Sequence, residues 1–244
     1  MASYVIADLH LSLSQPDKSM DAFGAAWKDY QEKLKQEWLS CVREGDTVVV
    51  PGDLSWAGTL DEALPDFEFL NALPGRKILL KGNHDFYWSS LKKMKEYCEN
   101  HGFDTFSFLQ NDALVLEDPG VILCGTRGWF FESSAQPETV RADFDKVFNR
   151  ELIRLRLSLE AGRKLQQIHG LPIVCCLHFP PAFGDVVCKE FMDLLVEYGV
   201  KSCYFGHVHG RYQVPLKTFV QGIRLYFIAS DYLKFRPYLL EKPD

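Results

Sequence analysis

Residues 78–85 read Ile-Leu-Leu-Lys-Gly-Asn-His-Asp, an apolar run that stops at a glycine and three polar side chains. Ile78–Leu80 has the composition of a short buried strand, and Gly82 permits a sharp turn with close backbone approach where that strand ends. The same figure recurs along the chain. Tyr4–Ala7 runs into Asp8-Leu9-His10, Thr47–Val50 into Gly52-Asp53, Pro172–Leu177 into His178, and Ser202–Phe205 into Gly206-His207-Val208-His209. Strands that finish in carboxylates, amides and imidazoles imply a sheet whose carboxyl ends converge on a crevice, the place where α/β sheets bind ligands.

The segments between these strands carry helical spacing. Met20, Phe23, Trp27, Tyr30, Leu34, Trp38 and Cys41 trace one helix face, and Leu60–Leu73 a second helix entered at Thr59. Ser89–Asn100 is a third, ended by Gly102; a long one runs from Pro137 to His169, and Val187–Tyr198 is the last. Strands are expected near Ala113–Leu116 and Val121–Cys124, and two or three antiparallel strands in Tyr212–Leu240. A β-α-β-α-β-α order followed by a strand-rich tail predicts an α/β fold. No linker, repeat or low-complexity stretch interrupts it, so residues 1–244 read as one domain, with Phe130–Gln136 as a flexible loop.

Composition narrows the function classes. At 47% hydrophobic and 25% charged residues, the 244-residue chain can bury a sizeable core. A net charge of -6 weighs against duplex nucleic acid as a partner. The basic group Lys92, Lys93 and Lys95 reads as a solvated helix face. Seven cysteines without a CxxC pair read as reduced, mostly buried thiols of a cytoplasmic protein, with neighbours Cys175 and Cys176 on opposite strand faces. The opening residues lack a secretory pattern and no run of 18 apolar residues occurs, so no membrane span is expected. Oligomeric state is not encoded in any of these features.

The histidines are unevenly placed. Of seven, His10, His84, His178, His207 and His209 lie in the strand-end motifs. At average residue frequencies Gly-Asn-His-Asp should occur by chance in such a chain on the order of once in a thousand. In an extended segment residues i and i+2 share a side, so Asp8 with His10, and His207 with His209, could each aim two ligands at one point. His101 and His169 each precede a glycine near a helix end, where the helix dipole accounts for them.

In these motifs the sequence resembles the calcineurin-like metallophosphoesterase superfamily, whose signature is D-x-H, G-D, G-N-H-[DE], an isolated His, then G-H-x-H. The blocks span Asp8 to His209, nearly the whole chain, and include small bacterial predicted phosphohydrolases among the proteins resembled. The resemblance implies a four-layer α/β/β/α sandwich with two divalent metal ions at the strand ends. One ion would be held by Asp8, His10, Asp53 and His209. The other would be held by Asp53, Asn83, His178 and His207, with Asp53 shared. His84 would sit over the substrate without ligating metal, and Asp85 would orient His84. A donor set of oxygen and nitrogen without cysteine suits Mn, Fe or Zn. The expected reaction is hydrolysis of a small phosphate ester, a diester first and a monoester next, by a hydroxide bridging the ions, with His84 assisting the leaving oxygen.

Some residues have more than one reading. His178 is chosen mainly by the family's order of motifs. Arg127 could clamp a phosphate and Trp129 could stack on a base, or they are a surface arginine and a packed aromatic. Trp56 and Tyr87 could shape the pocket or simply pack. Family members acting on phosphoproteins carry G-D-x-V-D-R-G, whereas residues 52–58 here are Gly-Asp-Leu-Ser-Trp-Ala-Gly. The missing arginine argues against a protein substrate. Asp8-Leu9-His10-Leu11 resembles the opening of pyrophosphatases acting on lipid-linked sugar nucleotides, but those replace the histidine that stands here as His84. Two other classes compete: a non-catalytic scaffold of the same fold, which would be expected to lose ligands, and a nuclease, which would need a basic groove.

Overall fold

The structure is a computed structural model that describes residues 1–129 and 138–243, without the side chains of 138–143. The expected loop at Phe130–Gln136 lies outside the described residues. In chain order the elements are β1 (Ser3–Val5), α1 (Tyr30–Cys41), β2 (Thr47–Pro51), α2 (Leu60–Asn71), β3 (Arg76–Leu80), α3 (Leu91–His101), β4 (Phe106–Phe108), β5 (Ala113–Leu116) and β6 (Val121–Thr126). Then follow α4 (Glu138–His169), β7 (Ile173–Leu177), β8 (Ala182–Phe183), β9 (Val186–Val187), α5 (Lys189–Glu197), β10 (Ser202–Phe205), β11 (Lys217–Val220), β12 (Ile223–Phe227) and β13 (Tyr238–Leu239).

The strands form two mixed sheets, ordered β13-β1-β2-β3-β4 and β11-β12-β10-β7-β6-β5, with β8 and β9 pairing apart. Parallel pairing runs through β1 to β4 in one sheet and through β6, β7, β10 and β12 in the other. All the strands that carry the motifs therefore point their carboxyl ends the same way within their sheet. Alternation along these strands sorts side chains into three apolar clusters. Val48, Val50 and Leu79 pack with Leu34 and Trp38 of α1, Phe67 of α2 and Met94 of α3. Ile122, Cys124 and Cys175 pack with Leu155 and Leu159 of α4 and Phe191 of α5. Between them, Val49 and Ile78 of one sheet meet Leu123, Val174 and Cys176 of the other. The α/β reading holds, and Cys175 and Cys176 fall on opposite faces as their adjacency requires.

Local signals placed the helix ends well. The Thr59 hydroxyl accepts from the Glu62 amide at 3.3 Å, the Ser90 hydroxyl caps α3, and Gly102 closes α3 in the left-handed conformation. Lys92, Lys93 and Lys95 are exposed on α3. Two expectations fail. The helix read from Met20 to Cys41 breaks: a short 3-10 turn covers Met20–Phe23, Gly24 takes φ +119°, and α1 starts only at Tyr30. The apolar face continues because Trp27 turns inward from the loop. The C-terminal tail does not form one antiparallel group. β11 is antiparallel to β12, but β12 is parallel to β10, and β13 crosses to the first sheet and pairs with β1. Among the described residues no helix is long and apolar enough to cross a membrane.

Candidate metal centre

Three of the five motifs leave their strands through backbone that is rarely used by residues other than glycine. Asp8, His10, Asp53 and His207 all have positive φ, between 46° and 70°. Such conformations cost on the order of 1–3 kcal/mol each and persist where their surroundings over-determine them. Here the surroundings are hydrogen bonds between motifs. The Asp8 and His10 amides donate to the Gly52 and Asp53 carbonyls, at 3.1 and 2.9 Å. The His207 amide donates to the Asp8 carboxylate, at 2.8 Å to Oδ2, and the His84 amide to Asp53 Oδ1, at 2.8 Å. Two glycines are required by these approaches. A Cβ on Gly206 would fall on the Asp8 carboxylate, and one on Gly82 would fall on the amide and carboxylate of Asp53.

The outcome is two groups of ligand atoms. Asp8, His10 and His209 form one; Asp53, His178 and His207 form the other, with donor atoms inside each group within 4.8 Å of one another. Asp53 Oδ2 lies 3.7 Å from His10 Nε2 and 3.3 Å from His178 Nε2, between the groups. Asn83 Oδ1 is 2.6 Å from His178 Nε2, at the edge of the second group. His207 and His209 thus belong to different groups. The i, i+2 argument fails there, because His207 is left-handed and the segment is not extended.

The donor chemistry fits metal. His10 Nε2 and His209 Nε2 face each other at 3.1 Å. Two nitrogens at about 2.0–2.1 Å from a shared ion would sit about 3 Å apart at right angles. Burial holds His10 and His207 down at about 3, so both imidazoles are neutral and offer lone pairs. Burial also lifts Asp8 to about 7, with the Asp53 charge adding to it against His209 and His178. Burial would likewise raise Asp53, but His178 and His10 outweigh it and hold the carboxyl below its ordinary range. Burial would lower His178, yet the adjoining Asp53 carries it to about 9. Two buried carboxylates among four imidazoles form a site that cations complete.

A cavity of about 380 Å³ opens over the groups, bordered by His10, Asp53, His84, His207 and His209 and walled by aromatic rings that include Trp27 and Trp56. Trp56 stacks on His10 at 4.9 Å and lies 4.2 Å from His84. Packing and pocket-shaping are therefore the same role for Trp56.

Asp85 does something other than the expected task. Its buried carboxylate accepts from the amides of Asp53, Leu54, Ser55 and Gly82 and from the Tyr87 hydroxyl. It makes no hydrogen bond to His84, whose Nδ1 is buried without a partner. Asp85 therefore ties the β2 and β3 loops together, and Tyr87 belongs to that knot. Arg127 and Trp129 do not border the cavity over the ligand groups. Arg127 turns to Glu151 at 3.0 Å, with the Trp129 ring 4.6 Å from its guanidinium.

One functional residue escaped the sequence reading. Asp231 Oδ1 lies 3.1 Å from His209 Nδ1, and its other oxygen accepts from the Gly210 amide and the Tyr212 hydroxyl. The signal was available: Asp231 ends the apolar run Ile228-Ala229-Ser230 after β12, the same figure as the other motifs. Such partners orient a ligating imidazole. Asp231→Asn should weaken ion binding at the Asp8, His10 and His209 group by about 10–100-fold, measured by titrating Zn or Mn into metal-free protein.

Two sheets with paired ligand groups at their strand ends define an α/β protein with a candidate dinuclear centre. The family model for calcineurin-like phosphoesterases matches residues 1–211, and the chain belongs to that family. No curated protein matches the chain. The crystal structure of phosphopantetheinyl hydrolase from Mycobacterium tuberculosis is similar in fold, with 14% identity, a TM-score of 0.55, and coverage of 98% of this chain and 95% of that one. A protein of unknown function from Aquifex aeolicus matches with 14% identity and a TM-score of 0.46 over 98% of this chain and 95% of its own.

Proposed function

We propose that this protein hydrolyses a small phosphate ester, a diester in preference to a monoester, at two divalent ions of the Mn, Fe or Zn kind. The observation that carries the reading is a pair of three-residue ligand groups at the floor of an open cavity, with Asp53 of one group also facing His10 of the other. Asp8, His10 and His209 would hold one ion; His178, His207 and Asn83 the other; Asp53 would serve both. Bound ions of this kind make hydroxide available near neutral pH and offset phosphoryl charge. The chain's own residues supply the rest. The aromatic walls exclude water from one side of the ester. His84, half-buried beside His10 on the border of the cavity, would give a hydrogen bond or proton to the leaving oxygen.

The test is removal of metal, separate addition of Mn, Zn, Fe(II) and Mg, and assay of bis-p-nitrophenyl phosphate beside p-nitrophenyl phosphate. A phosphopantetheinyl ester, named for the fold relative, belongs in the substrate panel. Turnover should depend on metal. His84→Ala should lose about 10²–10⁴-fold with a poorly activated ester and less with a p-nitrophenyl ester, whose leaving group needs no proton. Protein that binds two equivalents of every metal and cleaves nothing would overturn the reading.

A further inference from the structure

A second cavity, of about 200 Å³, lies where the ends of β3 and β6 meet α4. Its border includes Lys81, Arg127, Arg150 and Arg154 but one acid, Glu151. Glu151 is fully buried, and a single oxygen, Oε1, faces Arg154 at 2.8 Å, Arg127 at 3.0 Å and Arg150 at 3.6 Å. Its other oxygen accepts from the Thr126 hydroxyl at 3.2 Å. Each guanidinium carries five N–H donors, so one carboxylate satisfies few of them. Arg127 Nε is buried without an acceptor. Among the described residues Arg154 donates to Glu151 alone, and Arg150 meets it only at ion-pair distance. Among the described residues, four cations and one anion border this cavity, in a chain of net charge -6.

From this excess of cationic donors over carboxylate, on a border that also carries the buried, unpaired amide oxygen of Gln110, we infer a second binding site, for a phosphate-sized oxyanion. Guanidinium forks match the planar and tetrahedral oxyanions in charge and geometry. The fork of Arg127 is held in advance, stacked on Trp129 and pinned by Glu151. The site is joined to the metal centre by its frame. Lys81 directly precedes Gly82 and Asn83, and the Arg127 carbonyl accepts from the amides of His178 and Phe179, at 3.1 and 2.9 Å. No residue borders both cavities. The anion is either a second phosphate on the substrate, an assignment that rests on the phosphoesterase reading, or a free inorganic ion.

The experiment is calorimetric titration of the full chain with inorganic phosphate in the presence of a chelator, so that metal makes no contribution. Wild-type protein should bind one equivalent. Arg150→Ala with Arg154→Ala should bind about tenfold more weakly or worse, since each charged hydrogen bond lost is worth roughly a factor of ten. Arg150 is half exposed, so Arg150→Ala alone serves if the double variant melts early. Glu151→Gln, which removes the competing charge, should tighten phosphate binding. No phosphate bound by the wild type, or equal affinity in all variants, would overturn the site and leave Glu151 as a staple between α4 and β6. With metal restored, competition by alkanediol bisphosphates of graded length against matching monophosphates identifies the source. A bisphosphate advantage at one length, erased in the double variant, assigns the anion to the substrate; equal competition at every length assigns it to a free ion. Loss of hydrolysis with the phosphate titration intact would count against the phosphoesterase reading and not against this site.

Discussion

Asp53→Ala should lose metal-dependent hydrolysis by on the order of a thousandfold or more, the scale expected when the charge that organises a reacting centre is removed. Asp53 faces residues of both ligand groups, and Asp8 also reaches across, with Oδ1 3.5 Å from His178 Nδ1. Asp53 Oδ2 faces His10 and His178, while its Oδ1 accepts the His84 amide and so sets the loop that carries Asn83 and His84. The left-handed backbone at Asp53 is held by the Asp85 carboxylate on its amide, so the aspartate is positioned before any ion arrives. Alanine would remove the carboxylate that faces both His10 and His178. The bound-metal count should fall from two equivalents to one or fewer, read by elemental analysis beside kcat/KM. A variant that keeps both ions and its rate would remove Asp53 from the centre.

Asp85→Ala is expected to lower stability by about 3–5 kcal/mol, the cost of taking a buried charge from its partners. For a chain of this length that corresponds to a fall in Tm on the order of 10 °C. The argument is one of unsatisfied donors. Four backbone amides and one hydroxyl converge on this carboxylate, and each buried donor left without an acceptor costs about 1–3 kcal/mol. Burial raises the Asp85 carboxyl to about 6, which shows how far the site is removed from water. Hydrolysis should fall as well, because the amides released are those that place Asp53 and Gly82. Asp85→Asn keeps one acceptor oxygen and should lie between the wild type and alanine. Thermal melting and ion titration of both variants check this. If Asp85→Ala melted with the wild type and lost only the contribution of His84, the orienting role expected from sequence would be restored.

Much of the centre was legible because its ligands sit at the ends of short apolar runs. Strand composition and the polar stop that follows are local properties, so Asp8, His10, Asp53, Asn83, His207 and His209 stand out in their motifs, while His178 is singled out mainly by the order of motifs in the family resembled. The helix ends at Thr59 and Gly102 were readable for the same reason, since a cap involves residues a few positions apart, while the helix read from Ser89 starts at Leu91 with Ser90 as its cap. The α/β class followed from the alternation of the two periods.

What tertiary packing decided involves residues far apart in the chain or backbone outside the regular regions. The family resemblance already assigns His207 and His209 to different ions; the left-handed turn at His207 that goes with this is held by Asp8, across 199 positions. Trp27 leaves its helical register because Gly24 breaks the chain and the ring packs 5.3 Å from His209. Asp85 turns from a presumed partner of His84 into the acceptor for two loops, a role set by which amides happen to be buried without bonds. Sequence alone singled out most of the residues that gather at the strand ends, Asp231 excepted, because composition and spacing survive without a fold. Only the tertiary structure decided which of them meet, because that depends on unpaired donors and charges finding partners across the two sheets.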